Sequence, residues 1–149
     1  MAKNVIDRDL GLKRIISELQ SAKNAFVDIG VHEGERNSEG LNIAEYGAYN
    51  EFGTSKIPER SFMRSTFDEK QSKIKADMDN QFARLIEGKN TLYRSLAYVG
   101  ERHQQDIQSK IKSGIDPANA GSTIARKGSS KTLIDTGALV QSILYVVHK

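Results

Sequence analysis

The residues best suited to chemistry lie near the end of the chain, where Leu133, Ile134, Asp135, Thr136, Gly137 and Ala138 follow one another. An Asp-Thr-Gly triplet after two apolar residues is the catalytic element of aspartic proteases, in which two such aspartates meet across a two-fold axis and share a proton. In those enzymes the triplet comes early and most of a β-barrel follows it. Here twelve residues follow Gly137, two long helical patterns precede it, and one chain supplies one triplet. A structural role fits better: Asp135 or Thr136 caps a short helix, Gly137 permits a tight backbone, and Leu133, Ile134 and Leu139 pack inward. A phosphate loop is excluded in the stretch AGSTIARKGSSK. Six residues separate Gly121 from Gly128, Lys127 precedes the glycine, and no strand leads in. His32, His103 and His148 are scattered without ligand spacing. The chain has no cysteine, which removes disulfides, thiolate metal sites and thiol nucleophiles. No G-x-S-x-G element is present either. These residues predict no enzyme, no cofactor and no metal.

Charge points the same way. Twenty-two basic residues against nineteen acidic ones leave a net charge of +3, interleaved along the chain. A dedicated nucleic-acid binder would carry a larger excess on one face. Arg126, Lys127 and Lys131, with Arg60 and Arg64, are placed to touch passing DNA phosphates or an acidic partner. An ordinary solvated loop is the simpler account of them.

The elements that must position these residues follow from periodicity. The length of 149 residues suits one domain spanning 1–149. Leu12, Ile15, Ile16 and Leu19 predict a helix over 7–23, with Asp7 or Asp9 as its cap. Ala25, Val27, Ile29 and Val31 alternate with Phe26, Asp28 and Gly30, which predicts a strand with one buried face. Asn42 and Glu45 resemble a capping box for a helix over 42–52, closed by Gly53 in a left-handed turn. Ser61 is the expected cap of the longest helix. Its stripe of Phe67, Ile74, Met78, Phe82 and Ile86 is expected to be core, and Glu69 is expected to pair with Lys73. A second long helix over 91–113 carries Leu92, Leu96, Val99, His103, Ile107 and Ile111, and the short spacer folds the two into an antiparallel hairpin. Residues 115–131 lack apolar periodicity and predict a mobile arm or loop. A turn and a second strand over 142–147 complete the chain. The expected class is therefore α+β: a small antiparallel sheet packed against a long helical hairpin plus short helices, with an extended loop before the C-terminal strand. The N-terminal MAKNVIDRDLG lacks the apolar run of a signal peptide, and no stretch approaches the ~20 apolar residues of a membrane span, so a soluble protein made in the cytoplasm, with no membrane partner, is expected.

Three stretches taken together resemble a known family. EYGAYNEFGTSKIPERSFMRSTFDE at 45–69, TIARKGSSKTLIDTGALVQSILYVV at 123–147 and the strand AFVDIGVHE are similar to the neck and tail-completion proteins of long-tailed phages. The resemblance is carried by Glu51, Phe52, Gly53 and Thr54, by Pro58, Arg60 and Phe62, and by the run 133–139 leading to Ser142 and Ile143. Family members often have proline where this chain has Ser61 and Thr132, a mild departure because serine also starts helices. The resemblance implies a structural virion protein, assembled in the host cytoplasm, that forms a six-fold ring of copies of itself. That ring would complete the head-proximal end of the tail, touching the tail tube or terminator and the head connector. The contact surfaces expected on this reading are the 51–60 loop and the arm, by hypothesis, with Glu51, Phe52, Gly53, Thr54, Pro58, Arg60, Arg126, Lys127, Lys131, Asp135, Thr136 and Gly137 as candidates. A head-side connector or tail terminator is the neighbouring alternative. A small DNA-binding regulator using the basic arm is the alternative of a different class.

Overall fold

The computed structural model describes residues 10–32, 36, 40, 42–128, 130–134 and 136–148, with the backbone alone at 126 and 127. In chain order the elements are α1 (Leu12–Ser21), β1 (Phe26–Val31), α2 (Ile43–Phe52), α3 (Met63–Ile86), α4 (Leu92–Ser113), α5 (Gly121–Lys127), α6 (Ala138–Ser142) and β2 (Ile143–His148). The class is α+β, as the periodicities require. β1 and β2 form one two-stranded antiparallel sheet, running from Phe26 opposite His148 to Val31 opposite Ile143. Alternation decides which side faces in. Val27, Ile29 and Val31 are the more covered residues of β1, while Phe26 and Asp28 are exposed.

The covered face of the sheet rests on α4. Gly100 permits the close approach, because a Cβ there would stand 2.8 Å from both Tyr145 Cδ2 and Val27 Cγ2. Below this contact Ile107 and Ile111 join Ile43, Phe62, Leu133, Leu139, Val140 and Ile143 in one buried cluster. The stretches that carry the family resemblance thus meet in this core. Gly47 of α2 lies against Leu139, Val31 and Phe62 at 3.3, 3.7 and 3.8 Å from its notional Cβ.

α3 and α4 run antiparallel, and charges lace their seam. Lys73 donates to both Asp106 oxygens at 2.6 Å, Arg102 reaches Asp77 at 2.7 Å and Lys110 reaches Glu69 at 2.5 Å. This corrects the expected Glu69–Lys73 pair: each side chain finds an opposite charge across the hairpin instead of along its own helix. The apolar stripe of α3 is corrected too. Phe67, Met78 and Phe82 are 50, 54 and 55% exposed, while Thr66, Gln81 and Leu85 are buried. The stripe lies on the flank beside the sheet, and two strands cover α4 without reaching across α3.

Helix α1 bridges the tip of the hairpin with charge. Arg14 donates to the carbonyls of Leu85 and Ile86 at 2.9 and 2.8 Å, where α3 ends, and Glu18 accepts from Leu92 N at 3.0 Å, where α4 begins. A cation at a C-terminus and an anion at an N-terminus each meet the favourable end of a helix dipole. Leu12, Ile16 and Leu19, expected inside, remain exposed. The proposed caps Asp7 and Asp9 lie outside the described residues; Gly11, at φ 105°, holds the cap position of α1.

Two further expectations change. Residues 115–131 are not a structureless loop but contain α5, which a single large apolar residue, Ile124, could not announce by periodicity. The run 138–142 is helical, and Gly137, at φ 83°, holds its cap position where Thr136 or Asp135 was expected to cap. Thr136 Oγ1 does accept from Ala138 N at 3.4 Å, and Asp135 lies outside the described residues.

Candidate functional site

The segment linking α2 to α3 is organised around one buried carboxylate. Asn42 caps α2 through its side chain, accepting from Ala44 N and Glu45 N. The reciprocal half of the expected capping box is replaced by a bond from the Tyr49 hydroxyl to Glu45. Gly53 ends the helix at φ 71° and ψ 168°, a positive φ but not the left-handed helical turn expected. A Cβ at Gly53 would also stand 3.0 Å from Glu59 N. Thr54 then folds the loop on itself, its Oγ1 accepting from Lys56 N and Ile57 N at 3.2 and 3.0 Å.

Glu51, 4% exposed, turns back from α2 onto the start of α3. Its Oε2 accepts from Phe62 N at 2.7 Å and Met63 N at 2.9 Å. Its Oε1 accepts from Arg64 N and Arg64 Nε at 3.0 Å and from Ser61 Oγ at 2.8 Å. The free N–H groups of a helix start are thus satisfied by an anion from the preceding helix, where the dipole favours it. Ser61, the expected cap, is displaced one residue outward: Phe62 holds the cap position, and Ser61 Oγ accepts from Ser65 N at 3.2 Å. Burial alone would push the Glu51 carboxyl up. The amides of Met63 and Arg64, the Ser61 hydroxyl and the Phe62 amide outweigh it and hold the group below the usual carboxylate range. All its acceptor capacity being used inside, Glu51 offers nothing to a substrate.

Arg60 is also committed inward. It is 7% exposed, its Nε donates to Pro117 O at 2.7 Å and its Nη2 to Ala118 O at 3.2 Å, while Asn50 O accepts from its backbone N at 2.6 Å. It therefore staples the base of the 115–131 segment to the α2–α3 link. Asn119 Nδ2 to Lys131 O at 3.1 Å and Ile115 N to Thr132 Oγ1 at 2.9 Å close the same base. Of the expected contact residues, Glu51 and Arg60 are buried and work as internal ties, because each finds unsatisfied backbone groups within reach. Phe52, Thr54, Pro58, Lys131 and Thr136 are exposed, and Gly53 and Gly137 half-buried. Arg126 and Lys127 fall in α5, away from Phe52 in sequence, and Asp135 lies outside the described residues.

Beside these ties lies an apolar patch. Phe52 is 65% exposed with the Arg64 guanidinium 4.8 Å over its ring. Beyond Arg64 opens a cleft of about 470 Å³ between β1 and α3, walled by Ile29, Met63, Phe67 and Ile107, with His103 in its lining and Asp68 beside Arg64 at the rim. Phe67 meets His103 edge-on at 6.2 Å between centroids. His103 is 8% exposed, and among the described residues its Nδ1 has no hydrogen-bond partner. Burial pushes its imidazole down, against the pull of Asp106 and with the push of Lys73, so it is neutral at pH 7. Aromatic and arginine side chains around an apolar cleft are the composition of an anchoring patch in a protein interface. Residue types alone did not single out this cleft. Ile29, Met63 and Ile107 are far apart in the chain, and His103 read as a helix-face residue. Among the described residues, no helix is long and apolar enough to cross a membrane.

Comparison with protein-family models, with curated proteins and with solved structures finds no match.

Proposed function

We propose that this chain is a structural assembly protein of a tailed phage, forming a ring that completes the head-proximal end of the tail or joins it to the head connector. The observation that carries the reading is the surface. Among the described residues fourteen large hydrophobic side chains, tyrosines included, stand exposed, with Phe52, Phe67, Met78 and Phe82 among them, against nine in the buried core. A domain that leaves this much apolar surface uncovered is built to bury it against neighbours. The family resemblance supports the same role, because its three stretches form one common framework rather than three separate likenesses. Passing contact with DNA through the 115–131 segment is compatible with it.

The test is genetic. A phage with this gene inactivated should accumulate filled heads and separate tails, and the wild-type chain supplied in trans should restore joined particles. Normal infectious particles without the protein would overturn the reading. Deletion of 119–130 should impair joining if the α5 segment is a contact surface.

A further inference from the structure

Helices α3 and α4 are held in the molecule by different forces. α4 buries Gly100, Ile107 and Ile111 against the sheet and the core. Between Phe62 and Leu85, the residues of α3 that become buried are Thr66 and Gln81; Ile74 is half-buried, and Phe67, Met78 and Phe82 face outward. Helices in folded proteins ordinarily attach through an apolar face. This stretch attaches through charge. Lys73 with Asp106, Arg102 with Asp77 and Lys110 with Glu69 join it to α4, and every one of the six side chains keeps part of its surface in solvent. The ends are fixed differently. Glu51 receives the first amides of α3, and Arg14 donates to the carbonyls of Leu85 and Ile86 at its last turn. Within the seam the closed arrangement leaves polar atoms unsatisfied. Ser95 stands two turns before Arg102 on the same face of α4, and His103 stands beside Phe67. Ser95 Oγ and His103 Nδ1 are buried and, among the described residues, have no hydrogen-bond partner. Such atoms disfavour the dry state and are satisfied when water enters.

We infer that the middle of α3, from Glu69 to Gln81, is a charge-latched flap that lifts from α4 as one unit, with ionic strength setting how often it opens and both helix ends staying pinned. A stretch of this length, freed from its neighbour, is a marginal helix in water and unwinds. Lifting wets Ser95 and His103 and leaves the sheet, Ile107 and Ile111 in place. The pinned ends return the chain to the same register when it closes. The device turns on contacts within one chain and stands apart from the assembly role proposed above. A partly exposed ion pair changes a closed-to-open ratio by about two- to threefold. Screening all three pairs therefore raises the open population by about tenfold.

Hydrogen exchange on the full chain, read by mass spectrometry at two salt concentrations, tests this. Peptides covering 70–82 should exchange about tenfold faster at ~1 M sodium chloride than at ~0.02 M, while those covering 104–111 of α4 keep their rate. Asp106→Asn removes both acceptors of Lys73 and should speed 70–82 by about two- to threefold at low salt. Exchanging the pair, Lys73→Asp with Asp106→Lys, should bring the rate back to that of the wild type. Equal rates for 70–82 at the two salt concentrations would overturn the latch, and that comparison needs no variant. Acceleration of 70–82 and 104–111 together would overturn the flap as a separate unit. An Asp106→Asn chain that exchanges like the wild type, or an exchanged pair that restores nothing, would show that charge does not hold the seam.

Discussion

Replacing Glu51 by glutamine should destabilise the fold by about 3 kcal/mol, although it removes only a charge and keeps the side chain's size. The carboxylate receives two backbone amides on Oε2 and an amide, a guanidinium N–H and a hydroxyl on Oε1. A glutamine amide can accept on one side only. Its NH2 then faces at least two donors that have lost their acceptor, each costing about 1–3 kcal/mol when buried. Solvent screens little of this, because Glu51 is 4% exposed. The Arg64 ion pair is a minor part, Arg64 being half exposed, so Arg64→Ala should cost only about 1 kcal/mol. In urea, with a slope of about 2 kcal/mol per molar, the Glu51→Gln midpoint should fall by about 1.5 M. The acid limb gives a second readout. The folded carboxyl is held below its unfolded value, so its stabilisation is complete above about pH 4.3 and is lost as pH falls through the folded value. The wild type should therefore lose stability over that range and the glutamine variant should lose less. A glutamine variant within ~0.5 kcal/mol of wild type, with the same acid limb, would refute the cap as the organising contact.

Three other perturbations test separate ties. Arg60→Ala should cost about 3 kcal/mol and speed proteolysis within 115–131, because the carbonyls of Pro117 and Ala118 lose their donor together; a cleavage rate equal to wild type would count against the staple. Gly100→Ala should cost about 1–3 kcal/mol in a denaturant titration, since the new methyl group stands 2.8 Å from both Val27 and Tyr145. The neutral, buried His103 should make stability fall as pH drops below about 6.5, where the unfolded chain takes up a proton that the folded one does not. His103→Leu should remove that slope, as read by urea midpoints at pH 7 and pH 5.5.

Much of the architecture was legible residue by residue. The alternation of Val27, Ile29 and Val31, the Asn42 cap, and the Thr91 and Gly114 boundaries of α4 are local signals, and the structure places each where its local chemistry asks. α5 was not legible, because seven residues with one large apolar side chain have no period to detect. Nor was the fate of Phe67, Met78 and Phe82. Periodicity says that a helix has an apolar face, but whether that face is covered depends on how wide the neighbouring layer is. Glu51 makes the same point for polar groups. Its type and position announce an exposed acid in a turn, yet the unsatisfied amides of Phe62, Met63 and Arg64 lie within reach only after α2 and α3 have packed. Sequence determined where backbone conformation changes, since that is set by neighbours along the chain. Tertiary structure alone decided which side chains became ties and which stayed uncovered, since desolvation and donor–acceptor matching are settled by groups that meet only in space.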